Sequence, residues 1–174
     1  MSGRTLPLRT LAGVALTLGL VGAALVITPE GIDLGSAVAF RPHAPDWALF
    51  ASLAPAIQVH VAAAAAAFVL GLVQLWGAKG TAGHRAIGWA WVIVMLTAAI
   101  SSLFIRQLNH GLFSFIHILT GLVLVGLPMG VYAARKGRIA AHRKHMTGMF
   151  VGGVLLAGAL AFLPGRVMWE LLLG

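Results

Sequence analysis

Long apolar runs separated by short polar segments dominate the chain. Five runs reach about 18 residues or more, the length at which a helix rising about 1.5 Å per residue crosses about 30 Å of hydrocarbon. They are Leu11–Thr28, Leu53–Gly77, Arg85–Ile105, Gly111–Ala133 and Met146–Leu172. The pattern predicts an all-α integral membrane protein with five transmembrane helices.

The spacing of the runs predicts two parts. Residues 1–52 are expected to form an N-terminal transmembrane helix followed by an outer loop, and residues 53–174 a four-helix membrane bundle. The connections within the bundle are short, so consecutive helices are expected to be antiparallel neighbours. Pro164 and Gly165 are expected to break the last helix near its outer end.

The bundle contains an internal repeat. Residues 57–80 align without a gap on residues 114–137, which sets His60 on His117 and a Lys-Gly pair on a Lys-Gly pair. A His-Arg pair follows each copy, with one inserted residue in the second copy; the pairs are His84-Arg85 and His142-Arg143. The repeat predicts two tandem helical hairpins, repeat A at 53–105 and repeat B at 111–172, with pseudo-twofold symmetry about the membrane normal.

Composition and charge support a membrane protein and argue against a nucleic-acid partner. Hydrophobic residues make up 60% of the 174 residues and charged residues only 9%, whereas soluble domains carry about 25% charged residues. With the N-terminus in the cytoplasm, most of the Lys and Arg residues behind the net charge of +8 fall inside and all four acidic residues fall outside. This bias predicts a bacterial inner-membrane protein with a periplasmic C-terminus, in contact with the lipid bilayer.

His60 and His117 are the strongest candidates for a functional site. Each lies about 10 Å inside the outer end of its predicted helix, and small residues such as Ala63 and Gly121 lie one turn further in. Two facing imidazoles with space between them suit axial ligation of a haem iron. We therefore expect haem b, with these two histidines as its iron ligands. The alternative is that each histidine only hydrogen-bonds a neighbouring helix.

A second group of histidines lies near the cytoplasmic face. His84, His142 and His145 accompany Arg85, Arg143 and Lys144, and His142 and His145 are three residues apart on one helical face. This group is a weaker candidate for a second haem or metal site, or for a pocket that binds an anionic headgroup or a quinone. The alternative is that these side chains only anchor the helices at the interface.

Several kinds of chemistry are not expected. The chain has no cysteine, which excludes disulfides and thiolate metal sites. The central parts of the predicted spans contain no Asp or Glu for a proton relay, and no catalytic serine or zinc-protease motif is present. No catalytic residue is therefore assigned.

The sequence also resembles a bacterial family of predicted inner-membrane proteins that is named only as a domain of unknown function. The segments that carry the resemblance are "HRAIGWAWVIVMLTAAISSLFIR", "FSFIHILTGL", "ARKGRIAAHRKHM" and "LPGRVMWELLLG". The chain departs from the family pattern at Trp169, where a histidine is expected. The resemblance implies a multi-pass membrane fold, similar in layout to small b-type cytochromes and to assembly factors of terminal oxidases, and it carries no established activity.

Three functions remain open on the sequence. The first is an electron carrier that binds haem and acts with quinone or a respiratory complex. The second is an assembly factor or accessory subunit without a cofactor, and the third is a transporter of small solutes or lipids. The first is favoured because polar groups at membrane depth usually serve function.

Overall fold

The computed structural model describes residues 41–105 and 115–174, and within these ranges the regular structure is entirely helical. The helices, in chain order, are α1 (Trp47–Ser52), α2 (Pro55–Trp76), α3 (Ala82–Ser102), α4 (Phe115–Arg135), α5 (Ile139–Ala161) and α6 (Val167–Leu172). The predicted first span, Leu11–Thr28, lies outside the described residues. The all-α class is confirmed for the described part of the chain.

Four of the helices are long and apolar enough to cross a membrane. They are α2, α3, the His117–Arg135 portion of α4, and α5. Large apolar side chains remain exposed on their outward faces, among them Val69, Ile93, Val125 and Val151. Such exposure suits contact with lipid, so four of the five predicted spans are confirmed as candidate membrane spans.

Local sequence signals explain where α2 and α3 begin and end. Pro55 occupies the first turn of α2, where a missing backbone N–H costs nothing. The hydroxyl of Thr81 accepts a hydrogen bond from the His84 backbone N–H at 3.0 Å and caps α3. Between them, the Lys79 ammonium donates to three carbonyls at the end of α2, and Gly80 adopts a φ of 77°. The first Lys-Gly pair of the repeat thus forms the turn between α2 and α3.

The last span differs from its prediction of Met146–Leu172. The helix begins at Ile139, seven residues before the predicted start. The exposed charges of Arg143 and Lys144 lower the local hydropathy, but they do not interrupt the backbone hydrogen bonds of the helix. It ends at Ala161, where Pro164 has no N–H to continue the helix and Gly165 takes a φ of 78°. The predicted break at Pro164 and Gly165 is confirmed, and α6 follows it as a separate helix.

The transmembrane helix α5 is not uniform. Residues Ile139–Gly148 are α-helical, Met149–Leu156 form a π-helix, and Ala157–Ala161 return to the α form. π-turns inside α-helices frequently mark functional sites.

The four long helices form a ring in the order α2, α3, α4, α5, with α5 closing back on α2 through its π segment. The diagonal pairs α2/α4 and α3/α5 pack far less closely within the described residues. We call the end of the bundle where α2 begins the His60 end, and the opposite end the His84 end. The order agrees with two tandem hairpins, α2–α3 and α4–α5; their symmetry stays a prediction.

An apolar core lies between the two ends. Its largest members are Trp91, Met95, Leu127 and Phe150, all nearly or fully buried. The indole N–H of Trp91 donates to the backbone carbonyl of Ala67 at 2.9 Å, which links α3 to α2. The core separates the polar groups of the His60 end from those of the His84 end.

The His60 end is covered in part by the two short helices. Backbone N–H groups of Arg41, His43 and Asp46 donate to carbonyls of residues 171–173, at 2.8–3.1 Å. Asp46 also caps α1, since its carboxylate accepts from the Leu49 N–H at 2.9 Å. The segment before α1 is thus joined to the C-terminal end of α6.

Candidate functional site: two histidine pairs at opposite ends of the bundle

His60 on α2 is held by the neighbouring helix α3. Its Nδ1 lies 2.8 Å from the carbonyl oxygen of Ala98, and the Ser101 hydroxyl lies 3.4 Å from the same nitrogen. A carbonyl oxygen can only accept, so Nδ1 carries the proton and Nε2 keeps its lone pair. The ring is half-buried, and its second nitrogen is in the form that binds a metal.

A pair of hydroxyl groups lies near His60 and joins α3 to α4. The Ser102 and Thr120 oxygens are 2.6 Å apart, and both side chains are buried. The Ser102 hydroxyl also lies 2.8 Å from the carbonyl oxygen of Ala99, and either hydroxyl can be the donor in the bond between Ser102 and Thr120. The half-buried His117 lies one turn before Thr120 on α4. His60 and His117 therefore belong to one end of the bundle, on the diagonal helices α2 and α4.

At the opposite end, the structure brings His84 and His142 together. The centroids of the two rings are 6.4 Å apart, and the ring planes are nearly perpendicular, at 88°. His84 lies in the first turn of α3 and His142 in the first turns of α5. These helices form the other diagonal of the bundle.

The ring of His142 makes the same type of hydrogen bond as that of His60. Its Nδ1 lies 3.0 Å from the carbonyl oxygen of Gly130 on α4, so Nδ1 is the donor and Nε2 keeps its lone pair. Gly130 allows this close approach, because a Cβ there would overlap the Met146 side chain and lie 3.2 Å from the Cβ of His145. The neighbouring helix thus fixes both the position and the tautomer of His142.

His84 has different surroundings. Its Nδ1 is buried and has no hydrogen-bond partner among the described residues. Its backbone carbonyl accepts from the Gln74 amide at 2.7 Å, which ties the start of α3 to the end of α2. A cleft of about 170 Å³ lies beside the ring, lined by Val73, Gln74 and Ile87 among others. The cleft provides space next to one edge of the imidazole.

His145 is not brought into the same contact. It lies one turn after His142 on α5 and packs beside Gly130. Within residues 41–105 and 115–174, no three His, Asp or Glu side chains converge as a metal site would require. The described residues therefore form no cage of three or four protein ligands.

Cationic side chains surround the His84 end. Seven Lys and Arg residues belong to it, and two of them contact aromatic rings: Arg135 lies 5.5 Å from the Trp89 ring centroid and Lys136 lies 5.7 Å from that of Tyr132. The described carboxylates, Asp46 and Glu170, are on elements of the His60 end. This asymmetry is the one that the sequence predicts.

Sequence reasoning found the histidines and missed their backbone partners. The carbonyls of Ala98 and Gly130 carry no signal in the sequence, since every residue has a carbonyl. The repeat does place His84 and His142 at equivalent positions, and this was the available signal that they form a second pair.

Comparison with known proteins agrees with this membrane architecture. A family model described as "Predicted membrane protein (DUF2306)" matches residues 57–170, which include all four membrane-spanning helices except the first two residues of α2. Searches of curated proteins and of solved structures find no match. The resemblance noted in the sequence is confirmed, and the chain belongs to the DUF2306 family of predicted membrane proteins.

Proposed function

We propose that the protein is a b-type haem-binding electron carrier of the membrane, with His60 and His117 as axial iron ligands at the His60 end. The observation that carries this proposal is the bond from Nδ1 of His60 to the Ala98 carbonyl. Metal-ligating histidines commonly donate their other ring N–H to a carbonyl in this way, which directs the lone pair of the free nitrogen to the metal.

The arrangement of the helices supports the proposal. His60 and His117 lie on the diagonal helices α2 and α4, which are the helices that a flat group in the bundle centre would separate. The hydroxyl pair of Ser102 and Thr120 holds α3 against α4 near this level. The chain would therefore supply two imidazoles and a fixed frame, and the apolar core would keep water out.

The chemistry would be one-electron transfer, as iron alternates between its ferric and ferrous states. A quinol is a suitable electron donor, because one quinol oxidised to quinone reduces two ferric irons and releases two protons. A respiratory complex of the same membrane is a suitable acceptor. The charge asymmetry supports placing the His84 end in the cytoplasm and the protein in a bacterial inner membrane.

The test is the difference spectrum of the purified protein, reduced minus oxidised, together with haem counted per chain. We expect His60→Ala and His117→Ala each to lower the bound haem by one per chain, because iron loses an axial ligand. His43→Ala is the matched control, since His43 is exposed and its two ring nitrogens lie 2.7 and 3.1 Å from the carbonyl oxygens of Ala44 and Gly174. His60→Met should keep haem with a raised reduction potential.

A colourless protein from haem-replete cells, or unchanged haem in both alanine variants, would reject this proposal. These outcomes would favour a membrane assembly factor or accessory subunit, for which the His60–Ala98 bond is only a link between α2 and α3. In that case His60→Ala would cost about 0.6 kcal/mol, the usual value for a hydrogen bond between membrane helices, and the protein would co-purify with a larger complex.

A further inference from the structure

We infer that His84 and His142 form a second haem site at the opposite end of the bundle, so that the protein conducts electrons across the membrane. The cofactor assigned to this second site rests on the proposed function, since the same chemistry is assumed at both ends. The geometry of the site is independent of it, because it involves different residues and the other diagonal pair of helices.

The separation of the two rings fits coordination of one iron. Imidazole nitrogens bind metals at about 2.0 Å, and a ring centroid lies about 1.1 Å behind its nitrogen. Two imidazoles on opposite sides of one iron therefore have centroids about 6.2 Å apart, and the observed separation is 6.4 Å. Direct contact between aromatic rings does not need this particular spacing, since paired rings are found from about 4.5 to 7 Å.

The nitrogens are also in the required state. His142 donates Nδ1–H to the Gly130 carbonyl, which leaves Nε2 as a metal-binding lone pair. His84 has a buried ring nitrogen that no described residue satisfies. Buried polar atoms of proteins almost always have a partner, and a metal outside the chain's own residues would provide one.

The bundle geometry places this site and the His60 site at opposite ends. On α3, 14 residues separate His84 from Ala98, the partner of His60, which corresponds to about 21 Å along the axis. On α4, 13 residues separate Gly130, the partner of His142, from His117, which corresponds to about 20 Å. The two estimates agree. Measured along the bundle axis, His60 and His117 therefore lie at about the same distance from the level of His84 and His142.

Electron transfer between the two sites is then a simple exchange. His60 and His117 would hold one haem and His84 and His142 the other, and an electron would pass between them with no bond made or broken and no proton moved. The apolar core between the sites, which contains the rings of Trp91 and Phe150, excludes water from the path. Each site is therefore separated from the water at the opposite end of the bundle.

Haem counted per chain tests the inference. We expect two haems in the wild type, one in His84→Ala and in His142→Ala, and none in a His84→Ala, His60→Ala double variant. His145→Ala is the matched control, because His145 is on the same helix and outside the ring contact; it should keep two. His142→Met replaces the imidazole with another side chain that can bind haem iron, and it should raise the reduction potential of one haem only.

Vesicles test the conduction. Protein is inserted into vesicles that contain ferricyanide, and dithionite is added outside; the wild type should reduce the internal ferricyanide, while His142→Ala and protein-free vesicles should not. One haem per chain that depends only on His60 and His117 would overturn the second site and leave the proposed function intact. A bare metal ion, found by elemental analysis and lost in His142→Ala, would also overturn it.

Discussion

Replacing Trp91 with alanine should lower the free energy of unfolding by about 3–5 kcal/mol, the range for truncating a buried aromatic residue. Trp91 is 4% exposed and lies in the centre of the core against Ala67, Met95 and Phe150. The substitution leaves a cavity, and the side chains around it lose packing contacts that lipid cannot replace. Packing is the main force between membrane helices. The Ala67 carbonyl also loses its hydrogen bond from the indole.

The measurement is SDS-induced unfolding of the purified protein in mixed micelles. Trp76→Ala is the control, because Trp76 is 81% exposed at the end of α2 and its removal opens no cavity. It should change the free energy by about 0.5 kcal/mol or less. Equal losses in the two variants would show that the described core is not the centre of stability.

Replacing Gly130 with valine should remove one haem per chain and destabilise the protein by about 1–3 kcal/mol. Gly130 is buried, and its missing side chain is what lets α5 approach α4. The Cβ of a side chain there would overlap the flexible end of Met146, which can turn aside, and would lie 3.2 Å from the Cβ of His145, so we expect α5 to shift away from α4. The 3.0 Å bond from His142 to the Gly130 carbonyl then lengthens, and the orientation of the ring is lost.

Gly148→Val on α5 is the matched control. Gly148 is exposed and a Cβ there meets nothing within 4 Å, so the variant should keep both haems and nearly all of its stability. Retention of the full haem content in Gly130→Val would mean that the contact between α4 and α5 does not position His142.

The membrane helices could be predicted from hydropathy because crossing the hydrocarbon demands long apolar runs. The four spans of the bundle follow from the runs that begin near Leu53, Arg85, Gly111 and Met146. Hydropathy fails where a helix extends beyond the apolar region, and for this reason the predicted span does not include the charged start of α5. Exact ends depend on local hydrogen bonds, such as the Thr81 cap.

The candidate site was only partly predictable. The repeat brought out His60 and His117, yet the distance between the rings of His84 and His142 depends on which helices lie diagonally in the bundle. Hydropathy does not determine the order of helices around a ring. The neighbouring Arg85 and Arg143 also favoured a role at the lipid interface over a shared site, because positive side chains are usual there.

The π segment of α5 has a consequence for how the two hairpins match. Repeat B has one residue more than repeat A between its Lys-Gly turn and its His-Arg pair. In a regular α-helix one extra residue turns every later side chain by about 100°. The wider turns over Met149–Leu156 rotate the helix less per residue than α-helical turns do. The π segment therefore acts against the rotation that an insertion near the start of α5 introduces.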